Sequence, residues 1–134
     1  ILLLGQFFSE IIICFDGDES GYKAALRGAE NSLKFLQPEK QISFLFLPNG
    51  EDPDSFVESK GKEFFLKYSF DNKIQIHKFI FHHYLNNSKK SPTELAMIEK
   101  KLSNLAYSIN DTVVKKYVLG FFFRSAIELS TIKS

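Results

Sequence analysis

Two hydrophobic regimes divide this chain. As far as residue 70, short unbroken apolar runs alternate with polar turns; beyond it, apolar residues recur at helical spacing. Ile11-Ile12-Ile13-Cys14-Phe15 is a continuous β-branched and aromatic run, the pattern of a parallel strand covered on both faces. From Tyr22 onward, Ala25, Leu26, Ala29, Leu33 and Leu36 fall on one side of a helix. Ser20 reads as its N-cap, and Pro38 bars its continuation. Ile42 to Leu47 repeats the buried-strand pattern. Strand, helix and parallel strand together make a right-handed βαβ unit. Upstream, Ile1 to Phe8 reads as the close of a helix, with Ser9-Glu10 turning into the first strand.

Asp52-Pro53 pairs an N-cap with proline at the first helical position and predicts a short helix over 55–59. Gly61 restarts the chain into a helix over 62–68, and residues 70–73 read as a linker. Residues 74–85 form the next helix. Ser91-Pro92-Thr93-Glu94 is a capping box that opens a helix with Leu95, Ile98, Leu102, Leu105 and Ile109 on one stripe. Asp111 caps a last helix over 112–129, with Val114, Tyr117, Phe121 and Ala126 roughly aligned. The expected architecture is therefore α/β over residues 1–70, with a parallel βαβ unit, followed by an all-α helical bundle over 71–134. There is no internal repeat and no low-complexity segment.

Composition narrows the chemistry. The 134 residues carry a net charge of +1, so the chain as a whole is not a basic nucleic-acid clamp, and any such contact is local or helped by metal. One cysteine, Cys14 in the apolar strand, excludes an internal disulfide and any cysteine-based zinc site within the chain. Fifteen phenylalanines and no tryptophan point to a phenylalanine-rich core rather than to a reaction. No apolar run reaches the roughly 18–20 residues of a membrane span, and no secretory leader is visible. The chain opens on Ile1 inside an apolar segment, which suggests a piece of a longer protein.

The candidate chemistry lies where the two buried strands end. Asp16-Gly17-Asp18 closes the first, and Pro48-Asn49-Gly50-Glu51-Asp52-Pro53-Asp54 closes the second. Ligands of open α/β sheets bind beyond the carboxyl ends of the strands. On an extended segment residues i and i+2 point the same way, so Asp16 and Asp18 can face one cation. Magnesium takes carboxylate and water oxygens and leaves the rest to substrate phosphates, which suits phosphoryl transfer. Asp52 and Asp54 repeat the spacing at the neighbouring strand end. The alternative for these acids is turn and cap chemistry, with Asp52 as a helix N-cap. Haloacid-dehalogenase-type phosphatases share an acid-x-acid strand end, but Glu19 stands where they carry Thr or Val. Response-regulator receivers would need a separate phospho-acceptor aspartate and a later lysine, and neither is visible. His77, His82 and His83 fall on different faces of one helix and lack the spacing of a metal pair.

The stretch Cys14 to Arg27 resembles the D-x-D half of a Toprim domain, and more narrowly that of the bacterial DNA primases. Phe46 to Val57, with Leu47-Pro48-Asn49-Gly50-Glu51-Asp52-Pro53-Asp54, is similar to the primase segment that reads F-L-P-D-G-x-D-P-D, and Gly61 to Phe65 continues it. The motifs cover residues 11–65; the helical remainder resembles the bundle after the Toprim core by position and character. Glu19, Ser20 and Asn49 depart from the family's usual residues.

The resemblance implies a nucleotidyltransferase that makes short RNA primers on single-stranded DNA from ribonucleoside triphosphates during replication. Asp16 and Asp18 would be magnesium ligands, and Asp52 and Asp54 supporting acids of the same centre. It implies zinc only in an N-terminal module that this chain lacks, a replicative helicase partner reached through a region outside it, and a cytoplasmic location. Arg27 would either face phosphate or be a solvated helix residue. The chain also lacks the Toprim glutamate, so by itself it is expected to hold magnesium poorly and not to polymerise. Two other readings stay open: another Toprim enzyme (a topoisomerase or an overcoming-lysogeny-type nuclease), or a non-catalytic primase-like module that binds nucleic acid or helicase.

Overall fold

A computed structural model describes the backbone of residues 2–7 and 10–132, with side chains over 10–128. The chain divides into two compact units, residues 1–29 with 39–76, and residues 30–38 with 77–134.

The first unit is built on β2 (Glu10–Phe15) and β3 (Gln41–Phe46), which pair in parallel from Glu10 against Gln41 to Phe15 against Phe46. The crossover between them is α1 (Glu19–Ser32), whose last turn already belongs to the second unit, and a 3-10 turn over Leu33–Phe35. Period-two alternation sends Ile12, Cys14, Leu45 and Leu47 to one face. There they pack with Phe56 of α2 (Pro53–Lys60) and Phe65 of α3 (Lys62–Asn72). The opposite face carries Phe15 and Phe44, and Phe44 lies under α1 where Gly28 leaves room for it. Burial on both faces explains why these strands show no polar alternation. Ser43, Glu10 and Lys73 form a hydrogen-bonded chain on the α2–α3 face: Ser43 Oγ donates to Glu10 Oε2 at 2.8 Å, and Lys73 Nζ to Oε1 at 2.5 Å. Tyr68 on α3 ties to the sheet by donating its hydroxyl to the Phe46 carbonyl at 2.8 Å.

Several elements differ from the sequence reading. Residues 2–7 form a strand, β1 (Leu2–Phe7), antiparallel to β2, rather than the end of a helix; Ile1, Phe8 and Ser9 lie outside the described residues. Leucine favours helix, but the unpaired edge of β2 supplies hydrogen bonds that local propensity does not. The expected linker at 70–73 is largely helix, since α3 runs to Asn72. Ile74–Gln75 then adds a fourth strand, β4, antiparallel to β3. The sheet order is β1-β2-β3-β4. The N-cap of α1 is Asp18, not Ser20: its Oδ1 accepts the Gly21 N–H at 2.6 Å, one residue before the helix begins.

The second unit holds α4 (Ile76–Asn86, of which Ile76 closes the first unit), α5 (Pro92–Tyr107) and α6 (Thr112–Ile132). Ser91 caps α5 by accepting the Glu94 N–H at 3.3 Å. Glu94 turns its carboxylate to the Ser91 hydroxyl and the Lys89 N–H, so the reciprocal bond of a capping box is replaced. Asp111 Oδ1 accepts the Val113 and Val114 N–H groups and starts α6. The buried seam of α6 is Val118 and Phe122, whereas Tyr117 is 64% exposed. Leu102 and Ala106 are buried along α5, and Ile109 is buried just beyond its end. Among the described residues no helix is long and apolar enough to cross a membrane.

His77 on α4 packs edge-on against Phe121, with ring centroids 4.9 Å apart. Burial, helped by the Lys78 charge, lowers its pKa to about 4. An unfolded histidine near 6.5 binds a proton in the window where the folded one does not, so stability falls as pH drops from about 6.5 to 4. His77→Phe is expected to remove most of that acid sensitivity, read as the change in melting temperature between pH 7 and pH 4.5. An unchanged slope would place the acid sensitivity elsewhere.

Candidate functional site

The parallel pair β2–β3 ends in two loops that are stitched together through their backbones. The Gly17 N–H donates to the Glu51 carbonyl at 3.1 Å, and the Gly50 N–H to the Gly17 carbonyl at 3.2 Å. The Leu47 N–H extends the ladder to the Phe15 carbonyl at 3.2 Å. Glycine at 17 is a packing requirement. A Cβ there would lie far inside contact distance of the Pro48 and Leu47 carbonyl oxygens. At Gly21 a Cβ would meet the Asp16 carbonyl in the same way, so the first turn of α1 can close over the strand end only with glycine.

This stitching opens a depression of about 300 Å³ at the strand tips, lined by Asp16, Asp18, Glu19, Tyr22, Phe46 and Asn49 among others. Asp16 is half-buried, and among the described residues no hydrogen bond or ion pair engages its carboxylate. Asp18 is exposed and spends one oxygen on the Gly21 N–H. Glu19 adds a third acid to the rim, where Lys23 one turn on pairs with it at 3.3 Å in full solvent. That exposed pair contributes little to stability but offsets local charge. The N-terminal end of α1 lies at the same rim and favours anions.

Of the four aspartates singled out from the sequence, Asp16 and Asp18 share this depression, and Asp52 and Asp54 do not line it. Asp52 is the N-cap of α2: its Oδ1 accepts the Ser55 N–H at 2.8 Å, and Ser55 Oγ accepts the Asp52 N–H at 3.2 Å. Asp54 is exposed in the first turn of α2, where its charge suits the helix dipole. Arg27 is exposed on α1. No group of three or more His, Cys, Asp or Glu side chains able to hold a metal occurs among the described residues. The donor set is instead two carboxylates, one of them unengaged, on either side of a glycine. That set fits a hard divalent cation which completes its shell with water and substrate phosphate, and does not fit one caged by protein alone. Tyr22, Phe46 and Leu47 complete the lining and were not singled out from the sequence as site residues. Tyr22 stands four residues after Asp18, one helical turn, so a helix starting at the loop returns it to the same rim.

Paired acids thus close the strand tips of a parallel βαβ unit, and a helical unit follows in the chain. No protein-family model matches the chain. It is 40% identical over 114 residues to the DNA primase of Rickettsia felis, an alignment that takes in 84% of this chain and 19% of that protein. A DNA primase domain from Pseudomonas aeruginosa superposes with a TM-score of 0.75 at 32% identity, over 81% of this chain and 34% of that one. The DnaG primase catalytic domain bound to single-stranded DNA gives 0.76 at 27% identity, over 84% of this chain and 36% of that one. The chain belongs to the bacterial DNA primase family. It spans about a fifth of the length of the curated relatives it matches.

Proposed function

We propose that this chain carries the strand-tip acids of a primase active centre, which joins ribonucleotides into short primers on single-stranded DNA. The observation that carries this reading is the pair Asp16 and Asp18, held on one rim by Gly17 with the Asp16 carboxylate unengaged. A divalent cation, magnesium by donor chemistry, would neutralise the triphosphate and the charge that develops in nucleotidyl transfer. Asp16 supplies it an uncommitted carboxylate. Asp18 would supply its remaining oxygen, Oδ2, while the bond that Oδ1 accepts from the Gly21 N–H fixes its direction. Gly17 sets the separation of the two acids, and the α1 N-terminus favours the phosphate charge. Asp52 and Asp54 act on the centre indirectly, by holding the start of α2 behind the Glu51 carbonyl that Gly17 binds.

Single-stranded DNA, ribonucleoside triphosphates, the growing primer and a replicative helicase are the partners of the complete enzyme, which works in the cytoplasm. Zinc belongs to a separate module. The other Toprim chemistries and a non-catalytic module are the competing outcomes.

The test is a magnesium titration of primer synthesis by the complete enzyme. Asn is as good an N-cap as Asp, so Asp18→Asn keeps α1 while removing charge. It is expected to raise the magnesium concentration for half-maximal synthesis about tenfold. A titration curve that overlays the unsubstituted enzyme would place the cation elsewhere.

A further inference from the structure

The depression beside Asp16 and Asp18 has an aromatic wall that cation binding does not require. Tyr22 is 37% exposed, and its ring centroid lies 6.0 Å from that of Phe46 at an interplanar angle of 34°. Phe46 stacks on Phe15 at 5.6 Å and 24°, and Phe15 meets Phe44 edge-on at 4.8 Å. Phe15 and Phe44 are buried at 2% and 0% exposure. A run of packed rings therefore leads from the core of the first unit, through Phe44, Phe15 and Phe46, to Tyr22 at the rim of the site. Each ring limits the motion of the next, so the part of Tyr22 that is exposed is held in place before any ligand arrives and little entropy remains to be lost on binding.

Phosphate alone would use the carboxylates and their cation and would need no aromatic ring. A nucleotide has both halves: a polyanion for the cation and a flat base for the ring. A depression of about 300 Å³ whose lining holds both carboxylates, from Asp16, Asp18 and Glu19, and aromatic carbon, from Tyr22 and Phe46, offers both. We propose that Tyr22 is a nucleotide-binding residue, whose ring is the stacking surface for the base of the ribonucleoside triphosphate held at Asp16 and Asp18. The assignment rests on the nucleotidyl-transfer reading above and adds a base contact to it. Stacking uses the π-face that every base presents, so the contact is indifferent to base identity and leaves selection to the template.

The test uses the complete enzyme with each of the four ribonucleoside triphosphates. Tyr22→Leu keeps apolar packing on Phe46 and removes the aromatic face. It is expected to raise KM for all four by about tenfold and to leave kcat within about twofold, while Tyr22→Phe retains the original KM. A second measurement needs no variant to fold: irradiating the unsubstituted enzyme with 8-azido-ATP and magnesium is expected to label Tyr22, and excess ATP to prevent it. An unchanged KM in Tyr22→Leu, a KM change confined to one base, or labelling that misses Tyr22 overturns the assignment. Asp16→Asn run alongside separates the two levels. If it abolishes synthesis while Tyr22→Leu is silent, only the base contact is lost; if it leaves synthesis intact, the underlying reading falls.

Discussion

Asp16→Asn is expected to cut primer synthesis by the complete enzyme at least about a thousandfold, roughly 4 kcal/mol of transition-state stabilisation, and to leave the fold as stable as before. The two halves of that expectation come from one observation. Among the described residues the Asp16 carboxylate makes no hydrogen bond and no ion pair, so the fold loses nothing when its charge is removed. It also shares its depression with Asp18 and Glu19, so neutralising it relieves like-charge repulsion. A half-buried acid that makes no bond of its own and shares a depression with two other acids supports the cation role proposed above. The check is primer synthesis together with the melting temperature of the same preparation. A melting temperature within about 2 °C of the original, with synthesis lost, supports the assignment. Synthesis retained would remove the catalytic role and leave a primase-like scaffold.

The fold was legible in the sequence where burial alone dictates pattern. β2 and β3 are covered on both faces, so Ile11 to Phe15 and Ile42 to Leu47 announce themselves as apolar runs. β1 and β4 owe their existence to pairing instead. Leu2–Phe7 lacks β-branched residues, and Ile74–Gln75 is too short for any period to register. The boundary between the units was blurred for the same reason. The β4 pairing keeps residues as far as Ile76 with the sheet, while residues 30–38 pass to the helical unit, where the Lys34 carbonyl accepts the Asn110 N–H at 3.0 Å.

The site was legible as residues but only partly as geometry. Asp16 and Asp18 could be placed at a strand end because the strand before them is unambiguous. Asp52 was visible both as an acid of the site and as a cap, and sequence has no means of choosing between a side chain's two uses; its bond to the Ser55 N–H makes the second explicit. Asp18 illustrates the same degeneracy, since Ser20 is an equally good cap by type. The register of the first turn decides, and Gly21, which alone fits against the Asp16 carbonyl, sets that register. Tyr22 carries no signal of its own in the sequence, because its place at the rim depends on Phe46, which is distant along the chain and becomes its neighbour only when β2 and β3 pair.

Gly17→Ala is expected to damage both stability and synthesis, and Gly28→Ala to do neither. The added Cβ at 17 would overlap the carbonyl oxygens of Leu47 and Pro48, which are backbone atoms and cannot rotate away. The two loops must part, and the bonds from Gly17 to Glu51 and from Gly50 to Gly17 go with them. At about 1 kcal/mol for each bond, with further loss from the displaced loop, the destabilisation is about 2–4 kcal/mol. Gly28 lies inside α1, where the new Cβ would find only Phe44 Cζ at 3.8 Å, an ordinary contact. There alanine gains helix propensity of about 0.5–1 kcal/mol. Urea denaturation of the two variants measures the contrast, and synthesis by Gly17→Ala at a temperature where it remains folded measures the rest. Separating the loops moves Asp16 and Asp18 without removing either carboxylate, so a folded Gly17→Ala enzyme with full activity would mean that the spacing of these acids is irrelevant to the chemistry.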